Sequence, residues 1–296
     1  MDSEELSVEN GAIFDFAFDN DYPFVKPGNF TLYHYRSVNS VGNIFNGDSI
    51  RLRMNRSDQF SDKMEGKAVE VYYDMALEEL LAEGEITEEQ FTFLSQIEPS
   101  NEEMFIFRED NDLKNAKCLE YDAYIICFSK VKNDPYMFEH YGSQAEDKYC
   151  LELLTSQLEV LSHEDLGVGT RTEIIPVMYG KEVVSFLKNK IRQVVNNQFL
   201  YMNASILIDD LLHTIQFSAK RARYSKENEV RLVVFLPHGA EYFDKRYVTD
   251  KEKKCLWLNL PTHSVCNYWP KPGNSAENDE KIKNMLRTRG YSFLLD

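Results

Sequence analysis

The stretch ENEVRLVVFLP, residues 227–237, places two glutamates at the start of an apolar run. Successive side chains of a strand point to opposite faces. Glu227, Glu229 and Arg231 would therefore share one face, while Val230 lies on the other with the core. The pattern predicts a strand that has one buried face and one polar face lining a cleft.

A buried acid on such a strand needs a nearby cation, because an unpaired buried charge is costly. The candidates for a cation beside Glu229 are Arg36, Lys220 and Arg231. Lys220 opens the basic cluster of this acidic chain, which fits either a solvated helix end or a phosphate-binding edge. The members of that cluster are Lys220, Arg221, Arg223 and Lys226.

The overall charge narrows the class of partner. The chain has 296 residues and a formal net charge of −16. This charge disfavours broad binding to nucleic acid phosphates and to membranes. No apolar stretch reaches the roughly 18 residues that a bilayer span needs, and the acidic N-terminus lacks the basic region of a signal peptide. We expect a cytoplasmic protein that does not bind membranes.

Cysteine, histidine and acidic residues give little sign of a metal. The five cysteines are odd in number and form no CxxC motif, so reduced thiols are expected rather than a disulfide framework or a zinc ribbon. The six histidines form no HExxH or HxH motif. Asp58, Asp62 and Glu65 lie close together in DQFSDKMEG, a pattern found both in Mg²⁺ sites and in exposed loops. We predict no metal site, and a magnesium-dependent nuclease is the third functional alternative.

The remaining pattern predicts an α+β protein with a mixed or antiparallel central sheet, since strands and helices do not alternate regularly. FTLYHYRS (30–37), SIRLRMN (49–55) and YDAYIICFSK (121–130) are predicted strands. Residues 66–97 predict helices, with Thr87 as an N-cap, and residues 181–225 predict two helices that meet near Asn203. The predicted domains are a leader at 1–28 and a single domain at 29–296, with helical insertions at about 66–115 and 181–222.

Three predicted strands carry polar groups that suit one ligand. Arg36 on the first strand suits a phosphate, because its guanidinium forms two parallel hydrogen bonds. His34 on the same strand, or Ser129 at the end of the second, could hold a ribose hydroxyl. The carboxylates of Glu227 and Glu229 could stabilise positive charge at an anomeric carbon during glycosyl transfer.

This order of residues resembles the ADP-ribosyltransferase superfamily, whose members carry His or Arg on an early strand, Tyr or Ser on a second, and Glu on a late one. Two versions of the motif fit the chain. One uses Arg36, Ser129 and Glu229, and the other uses His34, a tyrosine such as Tyr141, and Glu229. The resemblance implies an ADP-ribosyltransferase-like core with NAD as substrate. Glu229 would stabilise the transition state and Glu227 would orient the acceptor.

A second resemblance spans residues 30 to about 290. The segments LYHYRS, FSDKMEG, IICFSK with DPYMFEHYG, and AKRARYSKENEVRLVV occur in that order. They resemble the bacterial and phage family called domain-of-unknown-function 2971, although Phe138 and Tyr224 stand where tryptophan is usual. Members often lie near defence or mobile-element genes, which implies a role in conflict between phage and host.

The sequence therefore predicts an ADP-ribosyltransferase-like enzyme that binds NAD or a related nucleotide, with a protein or nucleic acid as acceptor. The alternative is a non-catalytic module that binds or sequesters a nucleotide. The predicted catalytic residues are Glu229 and Glu227. The predicted cofactor-binding residues are His34, Tyr35, Arg36, Ser129, His140, Tyr141, Lys220 and Arg231.

Overall fold

The structure is a computed structural model that describes residues 30–59, 68–97, 104–107, 117–141, 147–159, 171–237, 247–250 and 252–295. The chain divides into two compact units. The sheet unit contains the described residues of Val25–Phe60, Asp122–Pro176 and Lys226–Asp296. The helical unit contains those of Ser61–Tyr121 and Val177–Ser225. The predicted leader lies outside the described residues, and the predicted single domain with two insertions stays a prediction.

The strands and helices are numbered along the chain. The strands are β1 (Thr31–Ser37), β2 (Phe45–Asn46), β3 (Ser49–Arg56), β4 (Met104–Phe107), β5 (Lys117–Ser129), β6 (Lys148–Leu154), β7 (Arg171–Pro176), β8 (Met178–Tyr179), β9 (Ala219–Lys220), β10 (Glu229–Pro237), β11 (Tyr247–Asp250), β12 (Cys255–Pro261) and β13 (Val265–Pro270). The helices are α1 (Val38–Ile44), α2 (Ala68–Ala82), α3 (Glu88–Leu94), α4 (Pro135–His140), α5 (Ser156–Glu159), α6 (Lys181–Val195), α7 (Gln198–Met202), α8 (Ala204–Ile215) and α9 (Ala276–Thr288).

The sheet unit is built on one sheet, in which the strands follow the order β11-β12-β3-β5-β1-β6-β13. Strand β10 pairs with β5 and with β7, and β2 pairs with β3. Neighbours such as β1 and β6, β3 and β12, and β7 and β10 run antiparallel. The predicted α+β class with a mixed or antiparallel sheet is confirmed, while the ADP-ribosyltransferase-like core stays a prediction.

Alternation along the strands places the main core on one face of this sheet. In β3, Ile50, Leu52 and Met54 are fully buried, whereas Arg53 between them is exposed. The same face of β10 buries Val230 and its apolar successors at every second position. A strand with period-two alternation gains burial on one face and leaves the other for polar side chains. On β3 this other face carries the polar side chains of Arg51, Arg53 and Asn55.

The helical unit packs α2, α6 and α8 around its own apolar core, which includes Leu77, Leu187 and Ile208. Thr87 caps α3 through a capping box with Gln90, which confirms the predicted N-cap. The chain breaks at Asn203 as predicted, but α6 also ends before Asn197, so three helices form instead of two. Asn197 accepts hydrogen bonds from two backbone amides of α7, which explains this additional break.

Candidate functional site

A cavity of about 150 Å³ opens in the sheet unit where β1, β3 and β5 meet. Strand β1 contacts β5 at Tyr33↔Ser129, and β3 contacts it at Asn55↔Ile125. The residues around the cavity include aromatic and aliphatic ones, two arginines, a histidine, an asparagine and a cysteine. They are Tyr33, His34, Tyr35, Arg36, Arg53, Asn55, Ile125, Ile126, Cys127, Phe128, Met137 and Tyr141.

His34 orients Arg36 through a chain of two hydrogen bonds. Arg36 Nε donates to His34 Nε2 over 2.7 Å. His34 Nδ1 lies 3.0 Å from the carbonyl oxygen of Cys127, which can only accept, so Nδ1 carries the proton. Burial, and then the charge of Arg36, hold the pKa of His34 well below its usual range. His34 is therefore a neutral acceptor that fixes the guanidinium of Arg36.

This arrangement predicts a pH dependence of folding. Because the pKa of His34 is lowered in the folded state, its contribution to stability is present above the ordinary value of 6.5 and is lost as pH falls below it. One such group adds a slope of at most about 1.4 kcal/mol per pH unit. The unfolding free energy of the wild type, measured by urea denaturation, should therefore fall as the pH is lowered below 6.5. In His34→Gln we expect this fall to be smaller. The exposed His263→Gln variant is the control, and an unchanged slope in His34→Gln would contradict the expectation.

Arg36 and Arg53 both line the cavity, and Arg53 also interacts electrostatically with Asp250. Burial lowers the pKa of Arg36 below its ordinary value, and the nearby charge of Arg53 lowers it further. Within the described part of the chain, neither guanidinium forms an ion pair with a carboxylate. Two like charges in one partly buried cavity repel each other. An anion bound between the two guanidinium groups would offset this repulsion.

Tyr141 connects this cavity with the two glutamates. It follows α4 and lines the cavity, and its hydroxyl is hydrogen-bonded to the side chain of Glu227. Burial raises the pKa of Tyr141, with smaller contributions from the charges of Glu229, Cys127 and Glu227. Tyr141 thus remains a protonated donor between the cavity and the carboxylates.

Glu229 forms a buried ion pair with Arg231, one of its three predicted cationic partners. Arg231 Nε lies 2.8 Å from Glu229 Oε1, and Arg231 Nη2 lies 3.4 Å from Oε2. The two side chains are each 1% exposed. Because every second residue of β10 faces the same side, Glu229 and Arg231 are neighbours on one face. The negative charge of Glu229 is therefore balanced by the positive charge of Arg231.

Glu227 is not part of that strand, contrary to the alternation predicted from the sequence. It ends a 3₁₀ helix at Ala222–Glu227, and Asn228 has a positive φ of 44° before β10 begins. The left-handed residue interrupts the strand alternation. The Ser129 hydroxyl donates to the Glu227 carbonyl over 2.9 Å, which fixes the turn. Ser129 therefore supports the backbone of the glutamate motif and does not line the cavity.

Tyr35 lines the cavity, but its hydroxyl holds the loop after β5. It donates to the carbonyl of Val131 over 2.6 Å and accepts from the amide of Asp134 over 2.9 Å. This hydroxyl therefore has a structural role, whereas the sequence predicted a contact with the cofactor.

Removing that hydroxyl tests its structural role. We expect Tyr35→Phe to lower the unfolding free energy by about 1–3 kcal/mol, since two partly buried backbone groups lose their partner. Tyr33→Phe on the same strand is the control, because the Tyr33 hydroxyl bonds only the Thr31 side chain among the described residues. Urea denaturation of the ligand-free protein measures both. Equal changes in the two variants would contradict the assignment.

His140 and Lys220 do not lie at the cavity. His140 is exposed at the end of α4, where its Nδ1 contacts the carbonyl of Tyr136 over 2.9 Å. Lys220 belongs to the helical unit, with its Nζ 4.9 Å from the centre of the Tyr224 ring. Both residues were predicted as cofactor-binding because they lie in motifs that resemble those of a family. The order of motifs along the chain does not specify which side chains face a shared cavity.

Three polar lining residues were missed: Arg53, Asn55 and Cys127. The first two lie on the polar face of β3, where SIRLRMN alternates between apolar and polar residues. That alternation was visible in the sequence. Their proximity to β1 was not visible in the sequence, because β3 and β1 are brought together by β5, which comes much later in the chain.

Of the three acidic residues considered as magnesium ligands, the structure describes Asp58, which belongs to a network of ion pairs. Asp58 contacts both Arg56 and Lys254. Asp62 and Glu65 lie outside the described residues. Among the residues that are described, no group of three or more His, Cys, Asp or Glu side chains is arranged to hold a metal ion.

Comparison of the chain with models of protein families, with curated proteins and with solved structures finds no match in any of the three. The resemblances to the ADP-ribosyltransferase superfamily and to domain-of-unknown-function 2971 therefore stay predictions. None of the helices in the described ranges combines the length and apolar character that a membrane span requires.

Proposed function

We propose that the cavity binds the phosphate end of a nucleotide and that NAD is the ligand. The observation that carries this proposal is the presence of Arg36 and Arg53 in one cavity, where the charge of Arg53 lowers the pKa of Arg36. Guanidinium groups bind phosphate through parallel charged hydrogen bonds. An anion between them would also relieve the repulsion between their charges.

The hydrogen bonding of Arg36 supports a defined binding geometry. Its Nε donates to His34, and no described residue takes up its two terminal nitrogens, so both can donate to a ligand. Because His34 is itself held by the Cys127 carbonyl, the guanidinium is oriented before the ligand arrives. Such preorganisation lowers the entropic cost of binding.

We propose further that the protein acts on the nicotinamide–ribose bond of NAD, as the resemblance to ADP-ribosyltransferases implies. The C–N bond would break with its electron pair moving to nicotinamide, and water or an acceptor hydroxyl would bond to the anomeric carbon. A carboxylate would take the proton of that nucleophile. Tyr141 supports this role, because it both lines the cavity and hydrogen-bonds Glu227. The negative charge of Glu229, which acts on Tyr141, would then stabilise the positive charge of the oxocarbenium-like transition state.

Incubation with NAD, with nicotinamide release or label transfer as readout, tests the reaction. We expect turnover by the wild type and a loss of about 10²- to 10⁴-fold in Glu227→Gln, the range for a general base. NAD binding should be retained in that variant. Tyr141→Phe keeps the ring and removes the hydroxyl bond to Glu227, so its turnover should fall while binding persists. Absence of turnover in the wild type would overturn the catalytic proposal and leave the binding proposal standing.

The second candidate is a non-catalytic module that binds or sequesters the same nucleotide. The ion pair of Glu229 with Arg231 and its exposed fraction of 1% favour this alternative, because a neutralised, buried carboxylate is a weak catalyst. Under this alternative, the purified protein retains nucleotide that is released unchanged on denaturation. Chromatography of the released compound distinguishes intact NAD from nicotinamide and ADP-ribose.

A further inference from the structure

The open face of β3 and β12 continues from the cavity. Arg53 lies directly opposite Trp257, and Arg51 lies opposite Asn259, in the antiparallel register of these strands. Directly opposite residues have Cβ atoms about 4.5–5.5 Å apart and point to the same face. The intervening Leu52 and Leu258 are fully buried on the other face. Arg53 therefore borders both the cavity and Trp257.

Trp257 forms a fixed aromatic surface on this face. Its side chain is half-buried, and the guanidinium carbon of Arg51 lies 4.4 Å from the centre of its ring. This cation–π contact orients the indole. Arg51 Nε is buried and has no hydrogen-bond partner within the described chain, so stacking on the indole is the contact that holds its guanidinium.

The size of the cavity requires part of a nucleotide to lie outside it. Its volume is about 150 Å³, whereas pockets that enclose a whole drug-sized ligand measure about 300–1,000 Å³. A phosphate held by Arg36 and Arg53 leaves the sugar and base to extend past Arg53. The side chain directly beside Arg53 in that direction is the indole of Trp257.

We propose that Trp257 stacks the base of the nucleotide whose phosphate is held by Arg36 and Arg53. This inference rests on the proposed nucleotide binding and names its ligand class: nucleotides with an aromatic base are preferred over sugar phosphates. Stacking of a base on an aromatic side chain strengthens binding by about tenfold or more. Stacking recognises the flat ring surface that all bases share. The preference over sugar phosphates therefore extends to more than one base.

The two tryptophans of the chain make the test direct. They are Trp257 and Trp269. In Trp269→Leu, the tryptophan fluorescence, excited at a wavelength that tyrosine does not absorb, comes from Trp257. We expect AMP to quench it while ribose 5-phosphate does not. Calorimetric titration should show AMP binding about tenfold more tightly than ribose 5-phosphate. That preference should disappear in Trp257→Leu and remain in Trp257→Phe, whose ring can still stack.

The outcomes separate the two proposals. If AMP and ribose 5-phosphate bind with equal affinity, or if AMP leaves the Trp257 fluorescence unchanged, the stacking role is overturned while phosphate binding stands. If neither ligand nor inorganic phosphate binds the wild type, the proposed nucleotide binding is itself overturned. The fluorescence of Trp269→Leu decides the stacking role even if Trp257→Leu fails to fold.

Discussion

Replacement of Arg36 by methionine is expected to weaken NAD binding by about 10- to 100-fold, because each charged hydrogen bond to phosphate contributes about 1.5–3 kcal/mol. The same change should leave the unfolding temperature of the ligand-free protein nearly unchanged, since two effects oppose each other. The buried His34 Nε2 loses the hydrogen bond from Arg36 Nε, which is destabilising. Arg36 is a partly buried cation that repels Arg53 and has no carboxylate partner in the described chain. An apolar side chain of similar length removes that cost.

A loss of affinity without a matching loss of stability distinguishes a binding residue from a structural one. Calorimetric titration measures the affinity, and thermal unfolding without ligand measures the stability. Arg287→Met is the matched control, since Arg287 is exposed on α9 and does not line the cavity. A fall in both affinity and stability in Arg36→Met would mean that Arg36 holds the fold, and would contradict its assignment to the ligand.

The second large effect concerns the ion pair of Glu229 and Arg231. Arg231→Met is expected to lower the unfolding free energy by about 3–5 kcal/mol, because it removes the cation that lies 2.8 Å from the buried Glu229 carboxylate. Glu229→Met should have a similar effect, because it removes the buried carboxylate that accepts from Arg231 Nε. Combining both changes should restore much of the stability, since no buried charge of the pair then remains.

Urea denaturation of the two single variants and the double variant measures this coupling. The interaction energy follows from the double-mutant cycle. Lys253→Met, which breaks an exposed ion pair with Asp250, is the control and should change stability by less than about 1 kcal/mol. Additive losses in the cycle would show that the two residues are energetically independent and would contradict a structural ion pair.

The ion pair also bears on how a catalytic test is interpreted. Glu229→Gln removes a buried charge from Arg231, so a loss of turnover in that variant could arise from unfolding. Glu227→Gln is the cleaner variant for catalysis, since the Tyr141 hydroxyl can still donate to the amide oxygen.

Local sequence predicted much of the fold because its signals are local. Period-two alternation located β1, β3 and β10, and the capping box at Thr87 located the start of α3. The left-handed backbone of Asn228 could not be predicted in this way, because a single residue of this conformation does not change the hydrophobic periodicity. Glu227 was therefore assigned to a strand that begins two residues later.

The site was predicted in part because its residues come from distant segments. His34 and Arg36 were identified from residue chemistry on one strand, and both line the cavity. Arg53 was not, because its proximity to Arg36 depends on how β3 and β1 flank β5 in the sheet. Strand order is set by long-range packing, and no local pattern encodes it.

The most direct test of nucleotide binding is a crystal structure of the protein with NAD. The expected result is a phosphate whose oxygens lie within about 2.7–2.9 Å of guanidinium nitrogens of both Arg36 and Arg53. A ligand bound elsewhere, or a cavity in which protein carboxylates occupy both arginines, would contradict the proposed site.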